Sequence, residues 1–135
     1  MFIISNVAFI GESAENTTID FNGRGIFAFI EWNPNIYFKD MKFFNTSVNL
    51  IKGRNDQTQV GGALEGENLI FDSAKSIASN GVYYIGGAIS CSGDLKLTNC
   101  IFKNNTADRG GAIFLLVGGE LINCTFINRV LDFSE

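Results

Sequence analysis

A short unit recurs along the chain, and its spacing limits the folds open to it. Five segments share the form Asn or Asp, apolar residue, any residue, Phe. They are Asn6-Val7-Ala8-Phe9, Asp40-Met41-Lys42-Phe43, Asn68-Leu69-Ile70-Phe71, Asn99-Cys100-Ile101-Phe102 and Asn123-Cys124-Thr125-Phe126, spaced 34, 28, 31 and 24 residues apart. A second unit lies between them: Gly61-Gly62-Ala63-Leu64, Gly86-Gly87-Ala88-Ile89 and Gly110-Gly111-Ala112-Ile113, at spacings of 25 and 24. Repeats of this length with variable intervals indicate a solenoid whose loops absorb insertions. Helical repeats would need apolar residues at a period of 3.6. Here the period is 2, as in Leu95-Lys96-Leu97-Thr98 and Gly119-Glu120-Leu121-Ile122, so the repeats are built from strands.

The phase of that alternation breaks at one place. Leu95 and Leu97 point one way, but the apolar pair that follows is Cys100 and Phe102, so Asn99 must flip the phase. Asn and Asp adopt the left-handed conformation more readily than other non-Gly residues. Asn6, Asp40, Asn68, Asn99 and Asn123 therefore read as one corner, repeated in each coil. A second short strand follows the corner, and a third is expected at the Gly-Gly-Ala unit. Stacking predicts an inward file of Val7, Met41, Leu69, Cys100 and Cys124. Beside it runs a core stack of Phe9, Phe43, Phe71, Phe102 and Phe126. The segments 44–60, 72–85 and 103–109 read as variable loops. Thr18 to Phe21 and Ile26 to Trp32 read as strands of unassigned face.

The expected fold is all-β: a right-handed, single-stranded parallel β-helix of about five coils, on the order of 24 Å long at the usual strand spacing. Residues 1–135 are room for one such domain, with 18–128 as its repeat region. An open end of such a stack presents unpaired strand edges and apolar core. End-to-end self-association is therefore expected, and the chain reads as part of a longer helix.

The composition excludes several functions. There are 10 Lys and Arg against 14 Asp and Glu, which disfavours a nucleic-acid partner. The sequence contains no His, which removes the commonest general base and metal ligand. No apolar run approaches the roughly 18 residues of a membrane-spanning helix. Met1 to Ile10 lacks a basic start and reads as a first strand rather than a signal peptide. The acids do not pair between coils: Glu65 would align with Ser90 and Phe114, and Glu67 with Lys39, Thr98 and Ile122. No catalytic residue, metal or cofactor is expected. Cys100 and Cys124 fall at one position of successive coils, within disulfide reach. A bond between neighbouring strands is often strained, so both read as buried thiols. Cys91 has no matching partner. On an exported chain, Asn16, Asn45 and Asn104 lie in sequons and are candidate glycosylation sites.

The alternation of Gly-Gly-Ala-Ile with Phe-x-x-Asn-like units, clearest from Leu97 to Ile113, resembles the repeats of chlamydial polymorphic outer-membrane proteins. It resembles still more the adhesin-like surface proteins of gut methanogenic archaea, over roughly residues 18–128. That resemblance implies display at the cell surface or outside the cell, and binding to glycans or to host or cell-surface proteins. Two alternatives stay open: part of a polysaccharide lyase or hydrolase, and a structural spacer.

Overall fold

The computed structural model describes residues 6–23, 27–29, 35–46, 51–53, 63–76, 88–91, 94–107, 111–115 and 118–127. Among them there is no helix. The strands are β1 (Val7–Ile10), β2 (Thr18–Asp20), β3 (Phe27–Phe29), β4 (Ile36–Thr46), β5 (Ile51–Gly53), β6 (Leu64–Ser76) and β7 (Ile89–Cys91). They continue with β8 (Leu95–Thr98), β9 (Ile101–Lys103), β10 (Thr106–Ala107), β11 (Ile113–Leu115), β12 (Gly119–Ile122) and β13 (Thr125–Ile127). They form two open, parallel sheets. The larger runs β1-β4-β6-β8-β12, with β2, β9, β10 and β13 continuing it past the bend, and the smaller runs β11-β7-β5-β3. Each strand pairs with one from the next stretch of chain, so the molecule is a pile of successive layers.

The residues dictate why each layer bends where it does. Along β4 burial alternates: Ile36, Phe38 and Met41, Phe43 are buried, and the phase shifts at Asp40. Asp40, Asn68, Asn99 and Asn123 all have positive φ, from 52° to 56°. They turn the chain while the next strand keeps its apolar residues inside. Their side chains also meet between layers. Asn68 Nδ2 donates to Asp40 Oδ1 at 2.7 Å, and Asn123 Nδ2 donates to Asn99 Oδ1 at 2.6 Å. An L-residue with a Cβ and no local polar compensation pays about 1–2 kcal/mol in this conformation. Asn99→Ala should therefore lower stability by about 1–2 kcal/mol in urea denaturation, and Asn99→Gly should recover most of that loss.

The core follows from the register. Phe43 pairs with Phe71, Phe71 with Phe102 and Phe102 with Phe126. Their rings stack nearly parallel at 5.2, 4.6 and 4.8 Å between centroids. These distances match the spacing of neighbouring strands, so the sheet itself sets the ring separation. Phe43, Phe71 and Phe102 are wholly buried. Each contributes about 2–3 kcal/mol by removal from water. Met41, Leu69, Cys100 and Cys124 line the neighbouring file, as the sequence predicts.

The first repeat unit departs from that prediction. Val7 pairs with Ile36 and Phe9 with Phe38, so Asn6 and Phe9 precede the corner instead of forming it. Phe9 stacks on Phe38 at 5.2 Å, and Phe38 joins the main ring stack edge-on to Phe43 at 5.0 Å. Asn6 Oδ1 instead accepts from the backbone N–H of Asn35, at 2.8 Å. The position under Phe43 belongs to Ile19. The cause is an insertion: residues 11–17 join β1 to β2 where Asp40 and Met41 alone suffice in the next layer. Gly11 opens the insertion, and a side chain there would collide with the Asp40 carbonyl oxygen.

Two other expectations are corrected. The Gly-Gly-Ala units are not equivalent: Ile89 and Ile113 pair in the smaller sheet, whereas Leu64 starts β6 and pairs with Ile36 and Leu95. Ile51 takes the place beside Ile89 that Leu64 was expected to hold. Gly61, Gly62, Gly86, Gly87 and Gly110 lie outside the described residues, while Gly111 leads into β11. Second, the chain does not leave the sheet after each Phe. Strand pairing runs on through Thr46, Ser76 and Ala107. A second left-handed residue makes this possible: Asn22, Asn45, Ser73 and Asn104 have φ of 53° to 64°.

Inside that second bend sits Asn105, 3% exposed. Its Nδ2 donates to the Phe71 carbonyl at 3.1 Å, and its Oδ1 accepts from the Ala74 N–H at 3.0 Å. One buried amide thus satisfies two backbone groups that the bend around Asp72 and Ser73 takes out of the ladder.

Candidate interaction surface

Alternation sends every second residue of the larger sheet outward, and the parallel register stacks those residues in files. Before the first bend, one file is Ala8, Tyr37, Glu65, Lys96 and Glu120, and another is Ile10, Lys39, Glu67, Thr98 and Ile122. Glu65 therefore lies between Tyr37 and Lys96, not beside Ser90 and Phe114, because its Gly-Gly-Ala unit belongs to the larger sheet. Glu67 keeps the neighbours expected from sequence. Its carboxylate accepts from the Tyr37 hydroxyl at 3.1 Å and lies 3.9 Å from Lys39 Nζ. Partial burial and the bond to Glu67 push the Tyr37 phenol above its ordinary pKa of 10.0. Tyr37 thus remains a neutral donor throughout the physiological range.

At the margin of this face, Ala63 to Glu65, Asp94 to Lys96 and Gly118 to Glu120 line an open cleft of about 360 Å³. Glu65, Asp94 and Glu120 bring carboxylates to its lining, and Lys96 brings one ammonium group.

Beyond the bend the outward residues change character. Asp72 is only 6% exposed and accepts from its neighbour Ser73 Oγ at 2.8 Å. Lys42 and Lys103, from the layers on either side, reach its Oδ2 at 3.2 and 3.8 Å. Lys42 Nζ also lies 4.9 Å from the centre of the Phe44 ring. This nearly buried carboxylate, reached by a lysine from the layer on each side, ties three layers together.

The sequon asparagines differ in access. Asn16 is exposed in the insertion, where its N–H donates to Ser13 Oγ at 3.0 Å. Asn104 is exposed at the second bend. Asn45 is half-buried, and its Nδ2 donates to Asp20 Oδ1 at 3.3 Å.

Cys100 and Cys124 are free thiols. Cys100 is fully buried, donates to the Thr98 carbonyl at 3.4 Å, and is pushed up to about 12 by loss of hydration. At pH 8 its thiolate fraction is on the order of one in ten thousand. Cys124 is half-buried. Native alkylation with iodoacetamide at pH 8, read by peptide mass spectrometry, should label Cys124 and leave Cys100 unlabelled until denaturant is added. The side chain of Cys91 lies outside the described residues.

Among the described residues, no three His, Cys, Asp or Glu side chains converge as metal ligands. No helix there is long and apolar enough to cross a membrane, which leaves β-barrel spans unaddressed. Buried Asn105 and the second bend were not anticipated from the sequence. The signal for both was the Asn104-Asn105-Thr106 tripeptide, which reads equally well as a sequon. Comparison with protein-family models, with curated proteins and with solved structures gives no significant match.

Proposed function

We propose that the chain is a right-handed, single-stranded parallel β-helix, displayed at the cell surface or secreted. It acts by binding carbohydrate through its outward face, without catalysis. The observation that carries this reading is the polar face of Tyr37, Lys39, Glu65, Glu67 and Lys96 beside the open cleft. Flat rows of an aromatic hydroxyl, carboxylates and ammonium groups suit an extended sugar chain, which presents hydroxyls at regular intervals. Glu67 and Asp72 are both held by lysines, which favours binding over acid–base chemistry. The resemblance of the repeats to adhesin-like surface proteins supports the same assignment.

A glycan array probed with the purified 135-residue chain tests it. Retention of acidic or neutral polysaccharide with no change in its size is expected, and Tyr37→Ala with Lys96→Ala should weaken that binding about tenfold, a loss of about 1.4 kcal/mol. Release of shortened or unsaturated sugars would assign the chain to a carbohydrate-active enzyme instead. Absence of binding across the array would leave a spacer role. An antibody to segment 99–126 should find the protein in the envelope or medium of fractionated source cells, and a cytosolic signal would remove the adhesin assignment.

A further inference from the structure

The two ends of the pile match each other file by file. β12 and β13 form the last described layer, and their outer edges have no strand partner among the described residues. Leu121, Ile122, Phe126 and Ile127 are 43%, 41%, 45% and 55% exposed there. At the other end β1 and β2 pair, among the described residues, only with β4, and Ile10 is 67% exposed. Ile10 and Ile122 close the two ends of one outward file, whose middle holds the Lys39–Glu67 ion pair. The charged residues of that file are therefore internal, and its two terminal positions are apolar.

We propose that the β1–β2 layer of one copy docks on the β12–β13 layer of a second copy, continuing the parallel register head to tail. Continuing each file places Ile10 beside Ile122, Ile19 over Phe126, Thr18 beside Thr125 and Val7 over Gly119. Gly119 has no side chain to obstruct Val7. Glu120 meets Ala8, so no like charges face each other across the junction. One mismatch remains, Asp20 beside Ile127. Docking would add backbone hydrogen bonds of the same parallel kind as every pairing in the structure. The contact is heterologous and does not close, so it builds linear assemblies rather than rings. The inference rests on the continuous-stack reading above but not on the ligand. A monomer that still binds glycan would overturn only this inference.

Sedimentation velocity of the full chain tests it with two end-blocked variants, Ile10→Lys and Ile122→Lys. The wild type should show species above 14.8 kDa that grow with concentration. Each variant alone should be monomeric, because one of its two ends is blocked in every copy. An equimolar mixture should form a dimer and nothing larger, through the one intact pair of ends. A wild type that stays monomeric overturns the proposal, as does an unreactive mixture. So does an Ile10→Lys variant that still dimerises, since that would mean two β12–β13 ends pair with each other. Ile10→Asp and Ile127→Asp, the second of which sets a like charge against Asp20, replace either variant if its far-UV circular dichroism departs from the wild type.

Discussion

Phe71→Ala is expected to destabilise the protein by about 3–5 kcal/mol, the usual range for removing a fully buried ring. Phe71 sits between Phe43 and Phe102 at 5.2 and 4.6 Å, so the substitution breaks two stacked contacts and opens a void between layers. The layers cannot close over that void, because backbone hydrogen bonds on both sides hold their separation. The loss is a large part of the 5–15 kcal/mol that stabilises most domains. Urea denaturation followed by far-UV circular dichroism should show the midpoint falling steeply or the transition vanishing. Phe126→Ala makes the contrast. Its ring is 45% exposed and touches one neighbour in the stack, so about 1–2 kcal/mol is expected. Equal losses at the two positions would show that the stack does not carry the core.

Asn105→Ala should cost about 2–4 kcal/mol. The substitution removes little apolar contact but leaves the Phe71 carbonyl and the Ala74 N–H without partners in a buried bend. Each such group costs about 1–3 kcal/mol when stranded away from water. Asn105→Leu, which nearly restores the volume, should not recover the loss, whereas a purely steric role would be rescued by it. Because Asn105 bonds to the backbone of Phe71 itself, the double variant Phe71→Ala with Asn105→Ala should fall short of the sum of the singles. A double-mutant cycle reads that coupling directly.

The sequence disclosed the layers more readily than their limits. The spacings of 28, 31 and 24 between Asp40, Asn68, Asn99 and Asn123 are those of the strand register, and the alternation of buried residues flips where the asparagines stand. That much is local: side-chain direction along a strand has a period of 2, and few residue types tolerate the break. The first unit misled because Asn6 precedes an apolar residue and Phe9 just as a corner would. Only the long-range pairing of Val7 with Ile36 distinguishes the two. The second bend was hidden for a different reason. It uses Asn, Asn, Ser and Asn, and a left-handed Ser at position 73 has no sequence signature. The outward face was legible for Glu67 but not for Glu65, because its place depends on which sheet Leu64 joins. Asp72 read as the first residue of a variable loop and instead continues β6, nearly buried between two lysines.

The parallel register has a mechanical consequence. Among the described strands, each layer is bonded only to the layers directly above and below it, so cohesion is a chain of nearest-neighbour links. Tension applied along the pile would then be borne at one junction at a time, and rupture would begin at an outermost layer. The clamp of Lys42, Asp72 and Lys103 spans the second to the fourth layer, so peeling should pause there. Amide hydrogen exchange should show the same order at rest, slowest in β6 and progressively faster toward β1 and β13.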